Sequence, residues 1–150
     1  MSTMEVSRDT TASQASVWSV LIDLENAPDV IAGIDAVEIL TSDQPFGIGT
    51  TWRETRTMFG KSATEEMRVT SVDEGRAYTV ESESSGTTYT SEMRVEPTDA
   101  GSRITMSFSG EPSGSMAKFF ASTVGKLFES GTRKALEQDL ADIAAAAESN

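Results

Sequence analysis

The segment Ser115–Ala147, SMAKFFASTVGKLFESGTRKALEQDLADIAAAA, decides the architecture. Met116, Phe119, Phe120, Val124, Leu127 and Phe128, followed by Ala135, Leu136, Leu140 and Ile143, recur at helical spacing and predict one long helix. Its first half is aromatic and bulky. Its second half thins to alanine, and Ala144–Ala147 is expected to fray. The residues before it repeat with period two, which predicts a run of hairpin-linked strands. One long helix after a curved antiparallel sheet has a concave face to cross, and a helix laid there leaves space beneath it. An internal cavity is therefore the first functional expectation.

Upstream, Met4–Thr10 reads as a first strand. Ser13 offers a cap to a helix whose stripe is Val17, Val20, Leu21 and Leu24, widened by Trp18 and Ile22. Asn26-Ala27-Pro28 is expected to end that helix, because proline disfavours helical backbone at the preceding residue. Val30, Ile31, Gly33 and Ile34 suggest a short second helix or turn. From Ala36 onward the spacing predicts strands at about 36–41, 49–59, 62–72, 77–84, 87–96 and 102–110. The connections Phe59-Gly60-Lys61, Asp73-Glu74-Gly75, Ser85-Gly86 and Asp99-Ala100-Gly101 carry hairpin chemistry. Glu111-Pro112-Ser113-Gly114 turns the chain into the last helix, which Ser113 or Ser115 can cap. Residues 1–150 read as a single α+β domain with no repeats and no linker.

Alternation along each strand selects an inner face. Ile104, Met106 and Phe108 share one side of the last strand; Tyr89, Ser91, Met93 and Val95 share one side of the strand before it. Tyr78 and Val80, then Met67 and Val69, continue that face. In strand 49–59, Trp52 and Met58 point inward together with Glu54 and Arg56, and Glu65 joins Met67. Charges on an apolar wall are costly unless paired or hydrated. Arg56 can pair with Glu54 or Glu65. Either these three orient a polar group of a ligand, or they form a structural ion pair, or the strand twists and keeps them in water. Four methionines of seven (Met58, Met67, Met93, Met106) fall on the inner face, which suits an adaptable pocket as well as ordinary core filling.

Composition removes several classes of function. The chain has 24 acidic and 12 basic residues, a formal charge of −12, and such a chain repels nucleic acid and anionic lipid surfaces. It contains neither cysteine nor histidine. Disulfides, thiol nucleophiles and the commonest metal ligands are gone, along with the near-neutral proton switch. No metal or cofactor is expected. Residues 1–12 lack the apolar core of a secretory signal, and no run approaches the ~20 apolar residues of a membrane span. A cytoplasmic monomer or homodimer is the expectation.

Three stretches resemble the START-like, Bet v 1-like superfamily (SRPBCC), and within it bacterial polyketide cyclase/dehydrase and lipid-transport-like proteins. Ala15–Asn26 (ASVWSVLIDLEN) is similar to that family's first helix, Gly47–Glu54 (GIGTTWRE) to its glycine-rich strand entry, and Val69–Arg76 (VTSVDEGR) to its strand-turn-strand segment. Glu74-Gly75 stands where prolines are common in the family. The resemblance implies a helix-grip fold: a seven-stranded curved antiparallel sheet around a long C-terminal helix, with short N-terminal helices. It also implies a cavity for a small hydrophobic molecule such as a lipid, a polyketide or an aromatic metabolite.

The expected ligand-binding wall is Trp52, Glu54, Arg56, Met58, Glu65, Met67, Tyr78, Val80, Tyr89, Ser91, Met93, Met106 and Phe108, with Phe120, Val124 and Phe128 as a lid. Binding or transport needs only these. The alternative is a cyclase or dehydratase, whose acid–base work would fall on Glu54, Glu65 or Arg56, or on Tyr78 or Tyr89, since burial can raise a glutamate toward neutrality. A protein-interaction module of the co-chaperone kind is the third reading.

Overall fold

The computed structural model describes residues 2–58, 60–84, 87–112 and 115–149, with side chains described except at positions 2, 58, 84, 111, 112 and 115–130. Seven strands form one antiparallel sheet: β1 Ser2–Thr10, β2 Ile34–Ile39, β3 Thr51–Met58, β4 Lys61–Asp73, β5 Ala77–Ser84, β6 Thr87–Thr98 and β7 Gly101–Pro112. Their spatial order is β1-β7-β6-β5-β4-β3-β2, so β1 and β2 are the edges. Register shifts between Ile34 and Ala36 and between Val69 and Ser71 mark bulges, which bend and twist a sheet.

Three α-helices, with a 3-10 turn at Leu24–Asn26 between the first two, complete the fold among the described residues: α1 Gln14–Leu21, α2 Ala27–Val30 and α3 Ser115–Glu148. Ser13 caps α1, its hydroxyl accepting from the Ser16 N–H at 3.1 Å, while Val17, Trp18 and Leu21 are buried. Pro28 does not stop α1, which already ends at Leu21; it sits in the first turn of α2, where its missing N–H costs nothing. The second helix accordingly ends at Val30 rather than spanning Val30–Ile34, and Ile34 opens β2. The expected caps of α3 fall partly outside the described residues, which exclude Ser113.

α3 packs against β1, β7 and α1. The dry core gathers where its C-terminal half meets α1, at the sheet end carrying the β4–β5 and β6–β7 turns. Val17, Val95 and Ile104 are fully buried there, with Leu140 and Ile143 at 1% exposure. At that end Gly101 lies against the β1 terminus, and a Cβ on it would meet the Thr10 carbonyl oxygen at 2.3 Å. The expected fraying of Ala144–Ala147 does not occur. Ala144 and Ala147 are each 2% exposed, and Thr10 donates to Glu148 at 2.6 Å beyond them. Alanine here lets two helices approach closely, so the small side chains mark a contact and not a loose end.

Candidate functional site

Inner-face residues run from dry to half-exposed along the sheet. On β6, Val95 is fully buried and Met93 is 8% exposed, whereas Ser91 and Tyr89 are half-buried. On β7, Ile104 is fully buried, Met106 nearly so, and Phe108 half-buried. Cross-strand pairing places Met93 beside Met106 and Ser91 beside Phe108. Tyr78 is paired with Met93, and Val80 with Ser91. Partners in a ladder share a face, so these side chains form one continuous wall.

Tyr89 and Phe108 stack at 5.3 Å with their rings 16° apart. Gly110, paired with Tyr89, makes room for the ring: a Cβ there would lie 3.1 Å from Tyr89 Cε1. Ser82, buried on the same wall beside Tyr89, belongs with this group and follows from the alternation of β5.

The charged part of the wall lies on β3 and β4. Trp52 is 4% exposed and its indole N–H donates to Glu54 Oε1 at 3.3 Å. Arg56 donates from Nε to Glu54 Oε2 at 2.7 Å. Its Nη1 and Nη2 reach across to Asp139 of α3, at 3.3 and 2.9 Å. The guanidinium thus joins sheet to helix through a two-pronged contact. Gly33 permits it, because a Cβ at that position would stand 3.2 Å from Arg56 Nη1. A second tie lies one turn along α3, where the Ala32 N–H donates to Asp142 at 3.0 Å.

The inward orientation of Glu54 and Arg56 read from alternation is what the structure has, with no slip of register between β3 and β4. Of the two pairings open in the sequence, Arg56 takes Glu54. Glu65 stands opposite Glu54 in the ladder, shares its face, is half-buried, and makes no ion pair among the described residues. Met67 is half-buried beside Trp52. The side chains of Met58, Phe120, Val124 and Phe128, the last three expected as a lid, lie outside the described residues.

Sequence reasoning missed Asp139. It interrupts the apolar stripe at helical spacing between Leu136, Leu140 and Ile143, and an acid in that place is the signal of a partner across the interior. It also missed Phe46, whose ring meets those of Trp18 and Tyr78 edge-on at 6.5 and 5.0 Å.

Burial shapes the electrostatics. It would lower the Arg56 pKa, but the charges of Asp139 and Glu54 and their hydrogen bonds carry it above its ordinary value. Arg56 is therefore a fixed cation and no proton donor. Burial pushes the Asp139 carboxyl up from 3.8, against the pull of Arg56. It also pushes the Tyr78 phenol up, with the Glu54 charge adding to the effect. That hydroxyl stays protonated and donates to the Leu21 carbonyl at 3.1 Å. No group of three or more His, Cys, Asp or Glu side chains placed to hold a metal occurs among the described residues. None of the helices there is long and apolar enough to cross a membrane.

This architecture recurs in solved structures. The protein TTHA0849 from Thermus thermophilus superposes with a TM-score of 0.81 at 17% identity, covering 99% of this chain and 98% of the other. The Zhui aromatase/cyclase from Streptomyces sp. R1128 gives 0.76 at 18%, covering 98% and 93%. Ara h 8.0201 gives 0.75 at 19%, covering 99% of both chains. At such identities the likeness is one of fold, the Bet v 1-like helix grip. No curated protein matches the chain in sequence. The profile of one family, described as polyketide cyclase / dehydrase and lipid transport, matches residues 1–148, and the chain belongs to that family.

Proposed function

We propose that the chain binds or carries a small hydrophobic molecule, such as a lipid, a polyketide or an aromatic metabolite, between its sheet and α3. The observation that carries this reading is the graded wall. A core that served stability alone would be dry along its length, whereas Tyr89, Ser91, Phe108, Met67 and Glu65 stay half-buried on the face that turns toward α3. Ligand pockets combine apolar and aromatic walls with a few placed polar groups, and this wall has both. The family membership supports the same reading. Mass spectrometry of the purified full chain under native conditions tests it. The expected result is a bound species of a few hundred daltons, released on unfolding. A chain that stays at its bare mass after exposure to lipid and aromatic-metabolite extracts contradicts it.

A second reading, a cyclase or dehydratase, draws on Glu65. Glu54 and Asp139 are engaged by Arg56, which leaves Glu65 as the inward carboxylate with no ion-pair partner among the described residues. General acid–base catalysis needs such a group within reach of substrate. Turnover of a polyketide substrate that falls by about a hundredfold or more in Glu65→Gln supports this reading; unchanged turnover removes it.

A further inference from the structure

Among the described residues, the inner wall carries more acid than its cation balances. Glu54 and Glu65 stand directly opposite each other on β3 and β4. Like charges so placed repel, and more strongly as water is withdrawn. Arg56 relieves only the first. It holds Glu54 with Nε and Asp139 with Nη1 and Nη2, while the Trp52 indole N–H takes the other Glu54 oxygen. Glu65 is half-buried and has no ion-pair partner among the described residues. Arg53 and Arg68 fall on the opposite face by alternation, and Arg53 holds Glu38 there. Lys61 shares the Glu65 side of β4 but is exposed at the hairpin, about 13 Å along the strand. Three carboxylates therefore meet one guanidinium. Burial raises the Asp139 carboxyl; with that group counted as neutral, acids still outnumber cations on this wall.

A second polar group without a partner lies nearby. Ser82 is 8% exposed on the inner face of β5, and its hydroxyl makes no hydrogen bond among the described residues. A buried hydroxyl is costly unless something meets it. Ser82 lies one residue beyond the Arg68–Glu81 pair, and Glu65 lies three residues beyond it in the same direction. Strand geometry sets the two about 8 Å apart on one face. Tyr89, paired with Ser82 and stacked on Phe108, continues that face on β6. Carboxylate, hydroxyl and aromatic ring thus follow one another across three strands.

A carboxylate guest would add a further negative charge to this wall. A protonated primary amine brings three donors and no acceptor, which matches a carboxylate and a free hydroxyl. Ring faces also attract cations. We propose that the inner pocket selects a hydrophobic amine, its ammonium held by Glu65 and Ser82 and its apolar body laid on Met67 and the Tyr89–Phe108 stack. This rests on the reading of the wall as a pocket and adds the charge of the guest.

Calorimetric titration of the full chain with 1-naphthylmethylamine, 1-naphthylmethanol and 1-naphthoate tests the proposal, since the three share one ring system and differ in charge. The amine is expected to bind one-to-one, at least about tenfold tighter than the naphthoate, with the alcohol between them. In Glu65→Gln the preference for amine over alcohol falls by about fivefold or more. The chain's formal charge of −12 draws cations to its whole surface, so Glu66→Gln is the control. It removes the same charge from the neighbouring, exposed residue on the outer face and is expected to keep the preference. Naphthoate binding as tight as the amine, a preference unchanged in Glu65→Gln, or an equal loss in Glu66→Gln overturns the selection of an amine and leaves the pocket standing. Failure of all three probes to bind overturns the pocket and the selection together.

Discussion

Two arginine–carboxylate pairs in this molecule have nearly the same geometry and opposite electrostatics. On the outer face, Arg103 grips Asp9 between β7 and β1 at 2.7 and 3.3 Å. Inside, Arg56 grips Asp139 between β3 and α3 at 2.9 and 3.3 Å. The hydrogen bond from Arg103 holds the Asp9 carboxyl below its ordinary value. The Asp139 carboxyl goes up, because burial outweighs its arginine. Contact distance alone therefore says little about what an ion pair does. The outer pair is a solvated surface contact. The inner pair commits charge to an interior, and removing one partner strands the other.

The largest consequence follows from Arg56→Met. It leaves Asp139, with a side chain 3% exposed, and Glu54, at 11%, without a cation. We expect a loss of about 3–5 kcal/mol in denaturant unfolding, the range for breaking a buried pair. Asp139→Asn leaves Arg56 paired with Glu54 and keeps a hydrogen-bonding side chain, so its cost is about 1–3 kcal/mol in the same measurement.

Acid should separate the two pairs by sign. A carboxyl whose folded pKa is raised contributes stability that is full below the unfolded value and lost as pH rises through the folded value. Asp139 is of this kind, so the cost of Asp139→Asn grows as pH falls from neutral toward the ordinary value of 3.8. Asp9 has the opposite shift. Its contribution is full above 3.8 and disappears as pH falls through its lower folded value, so the cost of Asp9→Asn shrinks in acid. Unfolding midpoints at neutral pH and at about pH 3 read both slopes; parallel slopes would break the comparison.

Gly33→Ala probes the inner pair from outside it. The added methyl would crowd Arg56 Nη1 at 3.2 Å, and we expect about 1 kcal/mol of destabilisation, absent in the Arg56→Met background. The smallest effect belongs to Arg103→Met, which should lower the unfolding midpoint only slightly at neutral pH and not at all in acid, since surface pairs contribute little and this one is lost once Asp9 is protonated.

The fold was legible because its signals are periodic. A stripe of apolar residues at helical spacing predicts α3, and alternation predicts every strand of the sheet and the inward turn of Trp52, Glu54 and Arg56. What alternation does not carry is a partner on another element. Asp139 sits 83 positions from Arg56, and no local rule joins them; only the interruption of an apolar stripe hinted at it. Ala144–Ala147 misled for a related reason. Thinning of the bulky apolar stripe reads as a helix end with nothing to pack, whereas the packing of α3 on α1 needs small side chains. Pro28 shows the same limit on a smaller scale, since proline begins a helix as readily as it ends one.

The inner pair and the half-buried aromatic wall belong to one claim, that the interior is built to hold a guest. Fluorescence titration of the full chain with 1-N-phenylnaphthylamine, an uncharged aromatic probe, tests it most directly, with circular dichroism confirming that each variant is folded. The account predicts saturable one-to-one binding that weakens by about tenfold or more in Phe108→Ala, where roughly 1.5 kcal/mol or more of aromatic contact is lost, and is unchanged in Arg103→Met. Absence of saturable binding, or equal affinity in folded Phe108→Ala, would contradict it.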